Sequence, residues 1–303
     1  MSKPGDTIEM IKPTLAYLGV GLMGRPMAER LLAAGYSVHV WNRGKEKLAP
    51  LIAKGAIEAA TPAAAVNAAD IVLMCLMDSA SVETVVFGPH GIVHGLGRDD
   101  RGVHKILVDH ASIQPAATRD FAARLANANG MQWVDAPVSG GVSGAAAGSL
   151  AVMCGGELGA IERVTPVLRA YGANITRMGP VGAGQTTKLC NQILVATNLC
   201  VIAEAVRLAQ NAGVDASMLP QALAGGWGDS KPQQVFVPRM VHPPENVIGA
   251  NDTMLKDLDT ALALGQASGT PMPIASLAAE IFRMLQARGW GDEEPSKLAA
   301  LYK

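Results

Sequence analysis

Lys188 stands near the start of a long stretch, GAGQTTKLCNQILVATNLCVIAEAVRLAQNAG at residues 182–213, that has neither proline nor glycine from Gln185 to Asn211. A helix over those residues runs for roughly 40 Å. Its N-terminal end carries partial positive charge, where a cation is unfavourably placed. Asn191 and Gln192 follow the lysine at spacings of three and four, so both amides share its face. A lysine partly withdrawn from water in such a place can have its pKa lowered into the range of a general acid or base. Two further stretches suit that chemistry. DAPVSGG at 135–141 closes a short apolar segment with the Ser139 hydroxyl and the flexible N–H groups of Gly140 and Gly141, a nest for a carboxylate. GVGLMG at 19–24 follows one apolar segment and opens another of helical period. There Gly19, Gly21 and Gly24, with Leu22 and Met23 between them, allow a tight turn and close approach of backbone to a pyrophosphate. The following helix start offers N–H donors and a favourable dipole to the anion.

Proton transfer beside a dinucleotide is the chemistry of carbonyl reduction, in which a group must protonate the developing alkoxide. Other sources of that help are missing from the sequence. No Cys/His cluster has ligand spacing, so no metal is expected. His90 and His94 are four apart, but Pro89, Gly91 and Gly95 make that segment a loop, and surface histidines are expected there. No lysine lies four residues beyond Tyr17, Tyr36 or Tyr171, which excludes a Tyr-xxx-Lys site. The end of the second strand sets the cofactor type. An acid there selects NAD through the ribose hydroxyls, whereas this chain has Asn42 and Arg43. Asn42 can bond a ribose and the Arg43 guanidinium suits a 2′-phosphate, which favours NADP(H) and leaves NAD(H) possible.

The elements that must position these groups follow from patterning. Thr14–Leu18, Ser37–Trp41, Ile71–Cys75, Ile106–Val108, Trp133–Asp135 and Ala151–Met153 read as short strands alternating with helices, the pattern of βαβ units in a mostly parallel sheet. Beyond Met178 strand signals almost vanish, and helices are expected at Ser217–Ala224, Thr253–Ser268, Ile274–Arg288 and from Pro295. Asp252 and Pro273 supply starts, Gly225 and Gly289 stops. The expected fold is α/β: a Rossmann N-terminal domain at 13–178 after a leader at 1–12, and an all-α C-terminal domain at 179–303 linked by the long helix, with the active site between them.

Composition agrees. Apolar residues make up 49% of the 303 but aromatics only 4%, so small aliphatic side chains must fill the interior, as in helices packed on a sheet. A net charge of −1 with no run of like charge argues against nucleic acid or an anionic membrane as partner. Cys75, Cys154, Cys190 and Cys200 lack CxxC pairing and read as reduced packing residues of a cytoplasmic protein. No signal peptide is apparent, and the longest uninterrupted apolar run, Ile71–Met77, is too short to span a bilayer.

Taken in order, GVGLMGRPMA (19–28), DHASIQP (109–115), DAPVSGG (135–141), GAGQTTKLCNQ (182–192) and LKDL (255–258) resemble the β-hydroxyacid dehydrogenase family, which includes 3-hydroxyisobutyrate dehydrogenases and tartronate semialdehyde (2-hydroxy-3-oxopropionate) reductases. The resemblance covers the whole chain after residue 13. It implies that the first motif binds the dinucleotide, that Leu76 and Met77 line it and that Ser112 lies near the nicotinamide. It further implies that Ser139, Gly140 and Gly141 hold a substrate carboxylate and that Lys188 is the general acid/base, with Asn191 and Gln192 beside it. Lys256 is implied to contact the cofactor and Asp257 to complete the site. The expected reaction interconverts a small 3-hydroxy acid and its semialdehyde, in a homodimer or homotetramer.

Two departures concern the substrate. Gly249 stands seven residues before Lys256, where many relatives have phenylalanine, and the segment Gly225–Ser230 is unlike the versions in either named activity. Two rivals exist. An imine reductase shares this architecture but carries other residues at the position of Lys188, and a non-catalytic NADP-binding module needs no intact lysine site. Sugar-phosphate decarboxylating relatives have longer helical regions.

Overall fold

The computed structural model of the chain describes residues 12–244 and 247–302. Residues 1–11, most of the expected leader, lie outside the described residues. The chain divides after Gln185 into two compact units.

In the first unit nine strands form one sheet: β1 (Leu15–Leu18), β2 (Val38–Trp41), β3 (Ile57–Glu58), β4 (Ile71–Met74), β5 (Ile106–Asp109), β6 (Gln132–Asp135), β7 (Val138–Ser139), β8 (Leu150–Gly155) and β9 (Gly172–Gly179). Their order is β3-β2-β1-β4-β5-β6-β8-β7, with β9 also on β8. From β3 to β6 every pairing is parallel, β8 runs antiparallel to β6 and β7, and β9 is parallel to β8. Between the strands lie α1 (Gly24–Ala33), α2 (Ala49–Ile52), α3 (Pro62–Asn67), α4 (Ser79–Phe87), α5 (Pro115–Asn129), α6 (Gly141–Ala147) and α7 (Leu158–Leu168).

Alternation along the strands builds a core on each face, because successive side chains point to opposite sides. Leu15, Tyr17, Val38, Val40, Leu73 and Val108 pack with Met27 and Leu31 of α1 and with Val164 and Leu168 of α7. Ala16, Leu18, Val72, Met74 and Leu107 pack with Val66, Val82 and Phe121 on the other side. Both faces are covered, as a parallel sheet requires.

The second unit is helical: most of α8 (Ala183–Asn211), α9 (Leu219–Leu223), α10 (Lys231–Val241), α11 (Asn251–Ser268), α12 (Pro273–Ala287) and a 3₁₀ segment at Pro295–Tyr302. Helix α8 has 29 residues, roughly 43 Å at 1.5 Å per residue. Among the described residues it is the one helix long and apolar enough to cross a membrane by length and composition. The length of the Ile71–Met77 run did not reveal it, since Thr197, Asn198 and Gln192 interrupt its apolar stretch. Ala196, Leu199, Ala203 and Val206 of α8 are buried with Leu258, Phe282 and Leu298 in the core of this unit.

Several elements differ from the sequence expectation. Strand β9 was not expected, because most of Gly172–Gly179 is exposed and lacks apolar alternation. The two-residue strands β3 and β7 are too short to carry a period. Helix α10 was missed because of its prolines. Pro232 fits the first turn, where no amide hydrogen is needed, while Pro238 lies inside the helix. Ser230 caps it by accepting from the Gln233 N–H at 3.2 Å. Pro295–Tyr302 winds as 3₁₀ helix. Cys190 is exposed rather than a packing residue, while Cys154 and Cys200 are buried, and all four thiols are free.

Candidate active site

Strand β1 delivers the chain to the glycine turn. Gly19 has φ +90°, and a Cβ there would run into the carbonyl group of Cys75. A Cβ on Gly24, the first residue of α1, would overlap the carbonyl oxygen of Gly19 and stand 3.3 Å from the Tyr17 ring. The packing of strand, turn and helix thus requires these two glycines. Gly21 is different. It is exposed, its φ is not positive, and nothing lies within 4 Å of where its Cβ would be. No neighbour in the chain demands glycine at that position, so the bare backbone is left for a ligand, and a pyrophosphate at the start of α1 fits. Leu22 beside it is 70% exposed, and Met23 is half-buried against the core.

Asn42, just beyond β2, ties this turn down. Its Oδ1 accepts from the Val20 N–H at 3.1 Å and its Nδ2 donates to the Gly44 carbonyl at 2.8 Å. Arg43 is exposed and makes no hydrogen bond or ion pair with any described residue. Leu76 and Met77 follow β4; Leu76 is half-buried and Met77 exposed. Ser112 is half-buried in the loop between β5 and α5. Gln185 holds that loop: Nε2 donates to the Ala111 carbonyl at 2.7 Å, and Oε1 accepts from the Ile113 N–H at 3.2 Å.

The nest expected at Ser139–Gly141 lies where β7 gives way to α6. Ser139 is half-buried and pairs in register with Ala151, while Gly140 and Gly141 are exposed at φ +135° and +66°. Two successive positive φ values belong to glycine and turn these backbone groups outward from the strand.

In the helical unit the other candidates converge. Asp257 of α11 is 2% exposed and accepts from Gln192 Nε2 at 2.6 Å. Gln192 Oε1 accepts in turn from Asn191 Nδ2 at 2.9 Å. Lys256 Nζ lies 3.2 Å from Asp257 Oδ1. Lys188 shares this field. Desolvation lowers its pKa, the Asp257 charge works against that shift, and Lys256 adds to it. The result is a half-buried ammonium more acidic than an ordinary lysine, held beside an ordered amide–carboxylate chain. Such a group gives and retakes a proton more readily than an ordinary lysine.

Sequence reading missed two residues, Asp135 and Gln185. Asp135 is fully buried at the end of β6 and accepts from the N–H groups of Gly182 at 2.7 Å and Gln185 at 2.9 Å, so a carboxylate 47 residues upstream caps α8. No local pattern announces a cap at that distance. His110 is structural and neutral. Its Nδ1–H donates to the Ala136 carbonyl at 2.6 Å, its Nε2 accepts from the Tyr171 hydroxyl at 2.8 Å, and burial pulls its pKa to about 4. His90 and His94 are exposed, as expected. Among the described residues no group of three or more His, Cys, Asp or Glu is placed to hold a metal.

The chain resembles known proteins along most of its length. Residues 14–179 match the family model for the NAD-binding domain of 6-phosphogluconate dehydrogenase, and residues 182–302 match the one for NADP-dependent 3-hydroxyisobutyrate dehydrogenase. The chain is 36% identical to 2-hydroxy-3-oxopropionate reductase of Escherichia coli over 94% of its own length and 95% of the relative's. The structure of 3-hydroxyisobutyrate dehydrogenase from Salmonella typhimurium superposes with a TM-score of 0.85 at 28% identity, covering 96% of this chain and 100% of that one. That of Psf3, solved with NADP+ and 2-OPP, gives 0.86 at 25% identity with the same coverage. A strand–glycine turn–helix of dinucleotide-binding type and relatives matched along nearly their whole length lead to one conclusion: the chain belongs to the β-hydroxyacid dehydrogenase family and is an NAD(P)-dependent oxidoreductase acting on the CH–OH group of hydroxy acids.

Proposed function

We propose that the enzyme interconverts a small 3-hydroxy acid and its semialdehyde, preferentially with NADP(H), and that Lys188 is its general acid/base. The observation that carries this reading is the half-buried Lys188 in the field of Asp257 and Lys256, beside the hydrogen-bonded chain Asn191–Gln192–Asp257. The dinucleotide, when bound, supplies the hydride to the carbonyl carbon. In reduction Lys188 donates a proton to the carbonyl oxygen, so aldehyde becomes alcohol and the lysine is left neutral; oxidation reverses both transfers. Asn191 hydrogen-bonds the reacting oxygen, and Asp257 keeps Gln192 and Lys256 in place. Ser139 and the amides of Gly140 and Gly141 take the substrate carboxylate.

Gly19, Gly21 and Gly24 with Leu22 and Met23 receive the pyrophosphate, Leu76, Met77 and Ser112 border the nicotinamide half, and Lys256 adds a cation toward the cofactor. Arg43 supports the NADP(H) preference, because an exposed guanidinium without a partner among the described residues suits a 2′-phosphate. Exposed Leu194, Val201 and Leu208 along α8 support a homo-oligomeric enzyme.

The test is oxidation of NADPH and NADH by purified protein against glyoxylate, tartronate semialdehyde, succinic semialdehyde and methylmalonate semialdehyde, with 3-hydroxy acids in reverse. Turnover of one member, faster with NADPH, is expected. Silence across the panel with both cofactors removes this substrate class.

A further inference from the structure

The first turn of α8 is fastened by groups outside the helix. The Asp135 carboxylate takes the N–H groups of Gly182 and Gln185 at 2.7 and 2.9 Å. Gly155 and Gly184 crowd it from two sides. A Cβ on Gly155 would lie 2.5 Å from Oδ1, and one on Gly184 2.8 Å from Oδ2, so side chains at either place would displace the carboxylate. Gln185, in that same turn, uses its amide oxygen and nitrogen on both sides of Ser112, at Ile113 and Ala111. A helix start held by an anion and a doubly bonded amide has little freedom to tilt or slip. Lys188 follows Gln185 by three residues, about one turn along the same helix.

We propose that Asp135 and Gln185 are positioning residues of the dehydrogenase reaction, fixing the start of α8 so that Lys188 presents its ammonium in one place, and that a proton held on Asp109 keeps Asp135 anionic for this task. The proposal rests on the reading of Lys188 as the proton-transfer group. Asp109 and Asp135 are register partners across β5 and β6. Asp109 Oδ1 accepts from the Ala111 N–H at 2.9 Å, and its buried Oδ2 has no partner among the described residues. Burial raises the pKa of Asp135 as well, but Asp135 has the N–H donors that oppose the shift, so the anion belongs there and the proton on Asp109. The Arg119 guanidinium packs against Gly182 as the nearby cation; the neutral ionisable neighbours of the pair are Cys75 after β4, Cys154 on β8, His110, Tyr17 on β1 and Tyr171. Burial holds each of them uncharged at neutral pH. Burial first, then the charge of Asp135, pushes the pKa of Asp109 up to about 8. Above that pH two anions stand side by side beneath the helix start.

The test uses the full chain, with glycerate and 3-hydroxyisobutyrate as probes in the oxidation direction and NADPH binding followed by fluorescence. D135N and Q185L are expected to lower kcat ten- to a hundredfold while the Kd for NADPH and the KM for hydroxy acid change less than threefold. Loss of kcat and Kd in equal measure, or of neither, overturns the proposal. Q185L leaves the buried carboxylate pair intact and carries this test alone if D135N does not fold. In oxidation Lys188 must be neutral, so its deprotonation raises kcat, whereas ionisation of Asp109 imposes a fall near pH 8. D109N is expected to lose that fall, and its persistence refutes the role of the proton on Asp109. K188A in the same series separates the two layers. A K188A enzyme that still turns over removes the proton-transfer reading and this proposal with it. An inactive K188A beside normal D135N and Q185L removes only the positioning.

Discussion

Replacing Gly21 and Gly24 in turn by alanine separates a glycine kept for a ligand from one kept for the fold. At Gly24 the new methyl meets the carbonyl oxygen of Gly19 and the Tyr17 ring, both fixed by β1 and its neighbours. Backbone cannot swing aside as a flexible side chain can, so α1 must lift from the strand, an overpacking that costs about 1–3 kcal/mol. For a unit of this size that lowers the melting temperature by roughly 2–12 °C. At Gly21 the methyl enters empty space at an ordinary φ. There the folded state loses nothing and the unfolded chain loses freedom, so stability holds or rises by up to ~1 kcal/mol. In the proposed cofactor site the same methyl stands where the pyrophosphate would approach, and NADPH affinity should drop by about ten- to a hundredfold, roughly 1.4–2.8 kcal/mol. Differential scanning fluorimetry with and without NADPH reads both effects. G24A should melt early, and G21A should melt normally yet gain little from added NADPH. A G21A protein that melts early and binds NADPH as the parent does would refute the assignment of that glycine to the cofactor.

Three further outcomes follow. R43A should lose about tenfold or more in NADPH affinity with NADH affinity unchanged, as measured by titrating each cofactor; equal losses would mean Arg43 does not touch the 2′-phosphate. E294A should destabilise the helical unit by about 1.5–3 kcal/mol in denaturant titration, because Glu294, 5% exposed, takes two hydrogen bonds from Arg239 at 2.9 and 2.5 Å and the substitution deletes both. D109N should raise stability at neutral pH. The folded-state pKa of Asp109 lies above its unfolded value, so the folded chain binds the extra proton and stability falls as pH rises between roughly 4 and 8. The gain from D109N, up to a few kcal/mol, should therefore be largest at and above pH 8 and vanish near pH 4; a pH-independent gain would contradict the buried neutral carboxyl.

Much of this architecture was legible because its signals are local. A glycine turn between an apolar strand and a helix, short apolar runs at βαβ spacing, and 27 residues without a helix breaker each act within a few residues of themselves. The same holds for Lys188, Asn191 and Gln192, which helical spacing places together. What escaped depends on distance or exposure. Strand β9 is recruited by the edge of β8 and carries no alternation of its own. Helix α10 tolerates Pro238 because its packed face, Val237 and Met240, outweighs one lost hydrogen bond. Asp135 caps a helix that begins 48 residues later, and the amide of Asn42 bridges Val20 and Gly44. These long-range bonds place the local motifs, and no spacing rule encodes them.

The central claim is that Lys188 moves the proton. Its most direct test is steady-state reduction of whichever semialdehyde the wild-type enzyme accepts by the K188A variant, with NADPH binding measured on the same preparation. The account predicts unchanged NADPH affinity and a kcat lower by about 10²–10⁴. Turnover within a few-fold of wild type would remove Lys188 from the mechanism.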